Sequence, residues 1–257
     1  MNLTPMARVR QRSCERLALQ PGQRVLDIGC GPATDTVALG RIVGPAGRVH
    51  GLDYDAAMVG QAQAHALAEG VSGWVLHHHG NATALPWPEG HFDACRSAGV
   101  FQHLIDPELG FDEVLRVTRP GGRLVVVDTD WASLTIDCAE AGIERRLVRF
   151  CAESMVENPY SGRRLPGMFR ARRLRDVQIE VIAMFVTELA LARQIVRLDA
   201  LEQEAMAAGV IDAEESRRWQ ASLECSATSA GFFACVNAVM VSGVVAGDSA
   251  GSRNSEH

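Results

Sequence analysis

Residues 25–36 read VLDIGCGPATDT, an apolar run broken by Asp27 and followed by Gly29 and Gly31 with one residue between them. A strand that ends in a G-x-G turn and leads into a helix opens a nucleotide-binding βα unit, because glycine lets the backbone come close to a ligand. Further along, residues 48–54, 74–80, 92–98 and 123–130 have strand composition, as do 24–29 at the start of the motif. Residues 34–42, 55–69 and 106–118 carry helical periodicity or helix starts, with Asp55 placed to cap the second. Segment 81–91 is too rich in Pro and Gly for a long helix, and RPGG at 119–122 is a turn before the fifth strand. Strands alternating with helices predict a parallel sheet covered on both faces, with ligands at the strand C-termini.

The pattern changes after Trp131. Residues 132–157 read as helical, 163–175 as a short Arg-rich amphipathic helix, and 177–187 as an alternating strand. A helical pair follows at about 190–209 and 212–228, and 232–244 reads as a last strand. The economical arrangement is one doubly wound α/β domain over residues 1–246, with helical insertions at about 132–160 and 188–228. The polar tail 247–257 is expected to be unstructured.

Composition narrows the partners. A chain of 257 residues with 47% hydrophobic and 22% charged residues can bury a sizeable core. Its net charge of -6 provides no field toward nucleic acid or an anionic membrane, so neither is expected as a partner. Seven scattered cysteines without a CxxC pair read as reduced thiols, and the N-terminal residues lack an apolar signal core. No segment has ~18 uninterrupted apolar residues, so a cytoplasmic protein is expected.

Two cofactors compete for the glycine loop. A dinucleotide loop has a third glycine where this chain has Thr34, and Asp53 at the end of the second strand would hold a ribose in either case. Asp27 separates them. Beside a pyrophosphate its charge repels, whereas beside a sulfonium and an ammonium it attracts. S-Adenosylmethionine carries both cations and no phosphate, and is the cofactor expected; a nicotinamide oxidoreductase is the reading set aside.

The segments VLDIGCGPATDT, VHGLDYDAAMV, GNATALPWPEGHFDA and EVLRVTRPGGRLVVVD resemble, in order, the motifs of the class I S-adenosylmethionine-dependent methyltransferases. They are similar to the branch that includes the ubiquinone/menaquinone-biosynthesis C-methyltransferases and many small-molecule methylating enzymes. The resemblance covers roughly residues 20–130. It implies a Rossmann-like, seven-stranded sheet with an antiparallel last strand, which 177–187 and 232–244 can complete. It also implies that Asp27, Gly29 and Gly31 line the methionine end, that Asp53 holds the ribose, and that Tyr54 and Met58 lie near the adenine. Asn81 matches a position usually held by Asp, which accepts from the adenine amino group, and an amide carbonyl can accept that bond too. Ala82 matches the next position, and Ser97 the end of the fourth strand beneath the sulfonium. Ala33 stands where a third glycine is common, and adds a methyl to the loop.

The remaining candidates follow from chemistry. His77, His78 and His79 alternate faces on a strand and have no second cluster to complete a metal site, so no metal is expected. His103, after the fourth strand, stands where the family often places an aromatic or histidine near the transferred methyl. It is the candidate general base, with a packing role as the alternative. Tyr54 and Trp87 read as walls of an adenine pocket, and Trp131 either lines the substrate or packs. The six arginines between 163 and 175 form a solvated face opposite Leu165, Met168 and Phe169. The segment before the first strand is short, so cover for the site is expected from 132–160 and 188–228, whose apolar and aromatic content suits a small, partly apolar acceptor. O, N and C nucleophiles all stay open, as does a homodimer. So does a protein of this fold that binds the cofactor without methylating, as a cyclase-like or regulatory binder.

Overall fold

The computed structural model describes residues 4–229 and 231–247. Its strands are β1 (Arg24–Ile28), β2 (Arg48–Asp53), β3 (Val75–His79), β4 (Phe92–Ala98), β5 (Thr118–Ile136), β6 (Arg175–Val186) and β7 (Ala234–Val244). They form one seven-stranded sheet in the order β3-β2-β1-β4-β5-β7-β6. The β1–β5 pairings are parallel, and β7 runs antiparallel to both β5 and β6. The sheet is therefore the doubly wound, Rossmann-like arrangement with an antiparallel last strand that the motif order implies. Strand β1 pairs with β2 on one side and β4 on the other, so the winding reverses beside the glycine loop. That reversal opens a crevice at the strand C-termini.

Helices cover both faces. Helices α1 (Pro5–Leu17), α2 (Thr34–Val43) and α3 (Ala56–Ala68) pack on one face, where Val9, Leu17, Val37, Val43 and Ala62 join Val25 and Val125 in a single cluster. On the other face, α4 (Pro107–Val117) and α6 (Ser161–Ala171) bring Phe111, Val114, Leu165 and Phe169 against Leu26, Ile28 and Val126. Strand β1 alternates between the two clusters and is buried at Val25 through Ile28, as a central parallel strand must be. A third cluster joins α5 (Ala141–Met155), α7 (Leu189–Val196), α8 (Leu198–Ala207) and α9 (Ala213–Ser229) to the far end of β5 through Leu134, Leu147, Val196, Leu201 and Trp219.

Several boundaries differ from the sequence reading. Residues 132–136, expected to be helical, prolong β5 because β7 is there to pair with them, at Thr135↔Cys235 and Ile136↔Ala234, after a register break from Asp130. The 190–209 helix divides at Arg197, which adopts a left-handed conformation with φ 55°. The Arg-rich helix spans 161–171 and includes Pro166, and Arg175 already belongs to β6. The RPGG run lies within the β5 span, with Gly121 left-handed at φ 76°. Helix α1 was not foreseen. Its signals are present: Thr4 Oγ1 caps Ala7 N–H, Pro5 occupies the first turn, and Val9, Ser13 and Leu17 recur every fourth residue on the buried face. The tail lies outside the described residues from 248 onward. Among the described residues no helix is long and apolar enough to cross a membrane.

Candidate functional site

A cavity of about 630 Å³ opens at the crevice. Its walls include Gly29 from the glycine loop, Asp53 and Tyr54 after β2, Asn81, Ala82 and Thr83 after β3, and Gly99, Val100 and His103 after β4. Four chain segments distant in sequence thus converge.

The loop is built by backbone geometry. Gly29 and Gly31 take left-handed φ of 70° and 50°, and a Cβ on Gly29 would run into Val100. Gly29 N–H and Cys30 N–H both donate to Leu52 O, at 2.7 and 3.1 Å, which fastens the loop to β2. Ala33 enters α2 at φ 71°, a region that disfavours a side chain, so alanine here carries strain that glycine would not. Asp53 is pre-aimed. Its Oδ2 accepts from Gly31 N–H at 2.8 Å and its Oδ1 from Asp55 N–H at 3.0 Å, leaving one lone pair on each oxygen for a diol.

Asp27 departs from its expected role. It is completely buried, does not line the cavity, and its Oδ1 accepts from Arg96 at 2.7 Å. Arg96 also meets Asp35 at 2.8 Å, and Arg10 meets Asp35 at 3.1 Å. Two carboxylates face two guanidiniums, so the charge assigned to the cofactor's cations is balanced within the protein. Burial pushes the Asp27 carboxyl up to about 6, against the pull of Arg96. Arg96 was missed because a lone arginine in an apolar strand gives no sign of its partner; the matching sign was Asp27, a carboxylate in a strand buried on both faces.

Other residues divide. Asn81 lines the cavity, with its carbonyl already accepting from Thr83 N–H at 2.9 Å, and Tyr54 stands at the rim, 79% exposed. Gly31, Met58 and Ser97 do not line it. Gly31 lies one turn back on Asp53, Met58 is half-buried on α3, and Ser97 is buried within β4 with its hydroxyl unpartnered. Trp87, expected at the adenine, packs instead edge-on against His50, His78 and Phe92. The three consecutive histidines separate as their strand dictates: His77 bonds Thr36 at 2.9 Å, His78 bonds His50 at 2.9 Å and His79 bonds Tyr54 O at 2.9 Å. Among the described residues no group of three or more His, Cys, Asp or Glu could hold a metal ion.

His103 ends a short 3₁₀ turn, 101–103, and stands exposed in the cavity wall. Burial lowers its pKa below the ordinary histidine value, which keeps the imidazole neutral at pH 7 and able to accept a proton. The turn is braced from behind. Asn158 donates to Gln102 O at 2.8 Å and Phe101 O at 3.1 Å, and Gln102 joins Trp131 Nε1 at 2.8 Å and Gly99 O at 3.0 Å. Trp131 is thereby a brace with its indole N–H engaged. Beneath the turn, buried Asp128 accepts from Ser161 Oγ, and burial pushes its carboxyl up to about 7. Trp219, within the 188–228 segment, is only 1% exposed and packs inside the helical cluster.

Residues 26–126 match the family model described as a methyltransferase domain, a family whose members use S-adenosylmethionine as cosubstrate. An uncharacterised 37.1 kDa protein in transposon TN4556 of Streptomyces fradiae is 34% identical over 227 residues, 88% of this chain and 64% of that protein. The demethylmenaquinone methyltransferase of Geobacillus kaustophilus is 36% identical over 125 residues, 49% of this chain and 53% of the enzyme. The chain thus spans between half and two thirds of the length of these relatives. In structure it is similar to the YcgJ protein of Bacillus subtilis, with a TM-score of 0.66 and 20% identity over 93% of this chain and 99% of that one.

Proposed function

We propose that the chain is an S-adenosylmethionine-dependent methyltransferase acting on a small, partly apolar molecule. The observation that carries this is Asp53. Its carboxylate is held by two backbone N–H groups in the wall of the crevice, with acceptor capacity left for two ribose hydroxyls. A dinucleotide would need a phosphate cradle, and the third glycine for one is absent. The residues of the cavity suit the cofactor by kind. Gly29 allows close backbone approach, Asn81 and Ala82 offer polar backbone and side-chain groups to an adenine edge, and Tyr54 gives a flat rim.

When bound, S-adenosylmethionine supplies an electrophilic methyl on a sulfonium. The chain's own work is to align the acceptor, exclude water and remove a proton where the acceptor needs it. His103 is the group for that removal, since its neutral imidazole sits in the same cavity wall. The cover over the acceptor is assigned to 132–160 and 188–228, whose helices share one apolar cluster. The apolar Val100, Leu104 and Ile105 of the wall suit a partly apolar acceptor.

Titration calorimetry with S-adenosylmethionine, S-adenosylhomocysteine and NAD tests the cofactor, and tight NAD binding without the other two overturns it. Turnover is tested separately, by whether S-adenosylhomocysteine forms when candidate acceptors are supplied. Binding without that product under every acceptor would favour a non-methylating protein of the same fold.

A further inference from the structure

Ala33, where the glycine loop turns into α2, is badly suited to its own backbone. Its φ is 71°, and its methyl is buried in the sheet-face core with Val37 and Leu39. A left-handed backbone disfavours any Cβ, so alanine keeps this turn only where its surroundings hold it. The turn matters to the site. Gly31, two residues earlier, donates to Asp53 Oδ2 at 2.8 Å, and a loop that relaxed at Ala33 would lose that aim.

The hold comes from two histidines on other elements. His65 Nδ1 of α3 meets Pro32 O at 2.9 Å. His77 Nε2 of β3 meets Thr36 Oγ1 at 2.9 Å, and Thr36 Oγ1 donates to Ala33 O at 3.2 Å. Two consecutive carbonyls of the loop are therefore tied to imidazoles. The longer of the two reaches has a path left open for it. His77 pairs across the sheet with Gly51, where a Cβ would come within 2.7 Å of the imidazole and 2.8 Å of Cys30 Sγ. The ring thus lies over a residue without a side chain on its way from β3 to the loop after β1.

Counting protons fixes the direction of the chain. The Thr36 hydroxyl has one hydrogen and gives it to Ala33 O, so the hydrogen between Thr36 and His77 belongs to Nε2. Burial lowers the His77 pKa to about 4, so at pH 7 the ring is neutral with a single N–H. Buried Nδ1, which has no partner, is then a bare acceptor. The opposite tautomer would bury an N–H with nothing to receive it, the costlier defect. Donation runs from His77 through Thr36 to Ala33 O, and bonds in such a chain strengthen one another.

We propose that His77 and Thr36, with His65 as a second hold on Pro32, are positioning residues that fix the left-handed turn at Ala33 and so the cofactor loop. A glycine at position 33 would make this clamp unnecessary, because glycine adopts the turn unaided. The effect on affinity rests on the S-adenosylmethionine reading of the cavity, whereas the effect on the loop does not. The signature is conditional: loss of the His77 donor harms the loop only while residue 33 has a Cβ.

The test is a cycle between His77→Phe, which keeps a ring and removes the donor, and Ala33→Gly. Two quantities are read, the exchange rate of the Gly31 amide by NMR without ligand and the affinity for S-adenosylhomocysteine by calorimetry. His77→Phe should speed the exchange about tenfold or more and weaken the ligand by a similar factor. In the Ala33→Gly background the same change should shift either quantity by less than about threefold. Equal effects in the two backgrounds, or none in either, would mean that His77 only fills the core and would overturn the proposal. His77→Gln retains a donor and should stay within about threefold of wild type; a loss equal to that of His77→Phe overturns the donor role. The ring nitrogen shifts of His77 in the wild-type protein supply an arm that needs no variant to fold. They should show a neutral ring protonated at Nε2 at pH 7, and protonation at Nδ1 would break the chain and the proposal with it. A wild type that does not bind S-adenosylhomocysteine removes the cofactor reading, while the amide exchange still decides the clamp.

Discussion

The glycine-loop side of the sheet and the helical unit beyond β5 are built on opposite principles. Around the cavity, position is set by backbone hydrogen bonds and left-handed glycines, so that Gly31 N–H aims Asp53 and Leu52 O holds the loop. In the helical unit, position is set by apolar packing of Leu147, Leu201, Trp219 and Leu223. The first kind of order depends on particular residues at particular spacings. The second depends on volume and pattern, and many sequences satisfy it. The difference teaches where ligand affinity and stability should part company.

The largest separation is expected at Trp219, which is 1% exposed. Trp219→Ala should destabilise the protein by ~3–5 kcal/mol, while S-adenosylhomocysteine affinity of the folded fraction stays within about threefold. Urea unfolding and calorimetry on the same sample check both, and a matching loss of affinity would show that the two regions are energetically one. Asp53→Ala is the converse. Two charge-assisted hydrogen bonds are lost, partly replaced by water, so affinity should fall by ~2–4 kcal/mol, roughly 30- to 1,000-fold. Its thermal midpoint in the absence of ligand should move little, and an affinity within about threefold of wild type would mean that the ribose lies elsewhere.

Asp128 lies between the two regions, under the His103 turn. Its folded pKa of about 7 lies above that of an unfolded aspartate. The folded state therefore holds this proton more tightly, and the associated stability is present below the unfolded value and lost as pH rises through 7. Asp128→Asn removes the titration while its amide carbonyl still accepts from Ser161. The variant should gain in thermal midpoint relative to wild type between pH 5 and pH 8; a difference independent of pH would show that Asp128 does not titrate there. Asn81→Asp is the smallest change. It keeps the acceptor for Thr83 N–H and adds a charge at the adenine edge, so cofactor affinity should be kept or rise by up to about threefold. A large loss, with the fold intact, would mean that the amide N–H₂ is the group used.

The same contrast explains what the sequence disclosed. Gly29 and Asp53 stand out by their place at a strand end and Asn81 and Ala82 only through the family resemblance, and all four line the cavity. The alternation of elements pointed to a parallel sheet, and the family resemblance implied its seven strands with the last antiparallel. Residues 132–136 were misread because their state depends on β7, about a hundred positions away, and local periodicity carries no trace of a distant partner. The ion-pair network failed for a related reason: Asp27 was visible, but Arg96, Asp35 and Arg10 become its neighbours only when β4, α2 and α1 assemble. The brace behind His103 was hidden likewise, since Asn158 approaches Gln102 only after the chain has passed through α5.

One feature of the sheet governs the order in which the molecule can be made. Strand β7 lies between β5 and β6, pairing Arg123 with Val244 on one side and Arg175 with Val244 on the other. No register between β5 and β6 exists without it. While a ribosome delivers the chain, β1 to β5 can join as each emerges, but β6 has no seat until β7 has been synthesised and inserted. In that interval the β5 edge is open, and Ile179, Val181 and Phe185 of β6, still 45%, 59% and 48% exposed in the finished fold, are wholly bare. The interval is when strand edges and apolar side chains are most open to pairing with another chain, so the yield of folded protein depends on how quickly this last strand arrives.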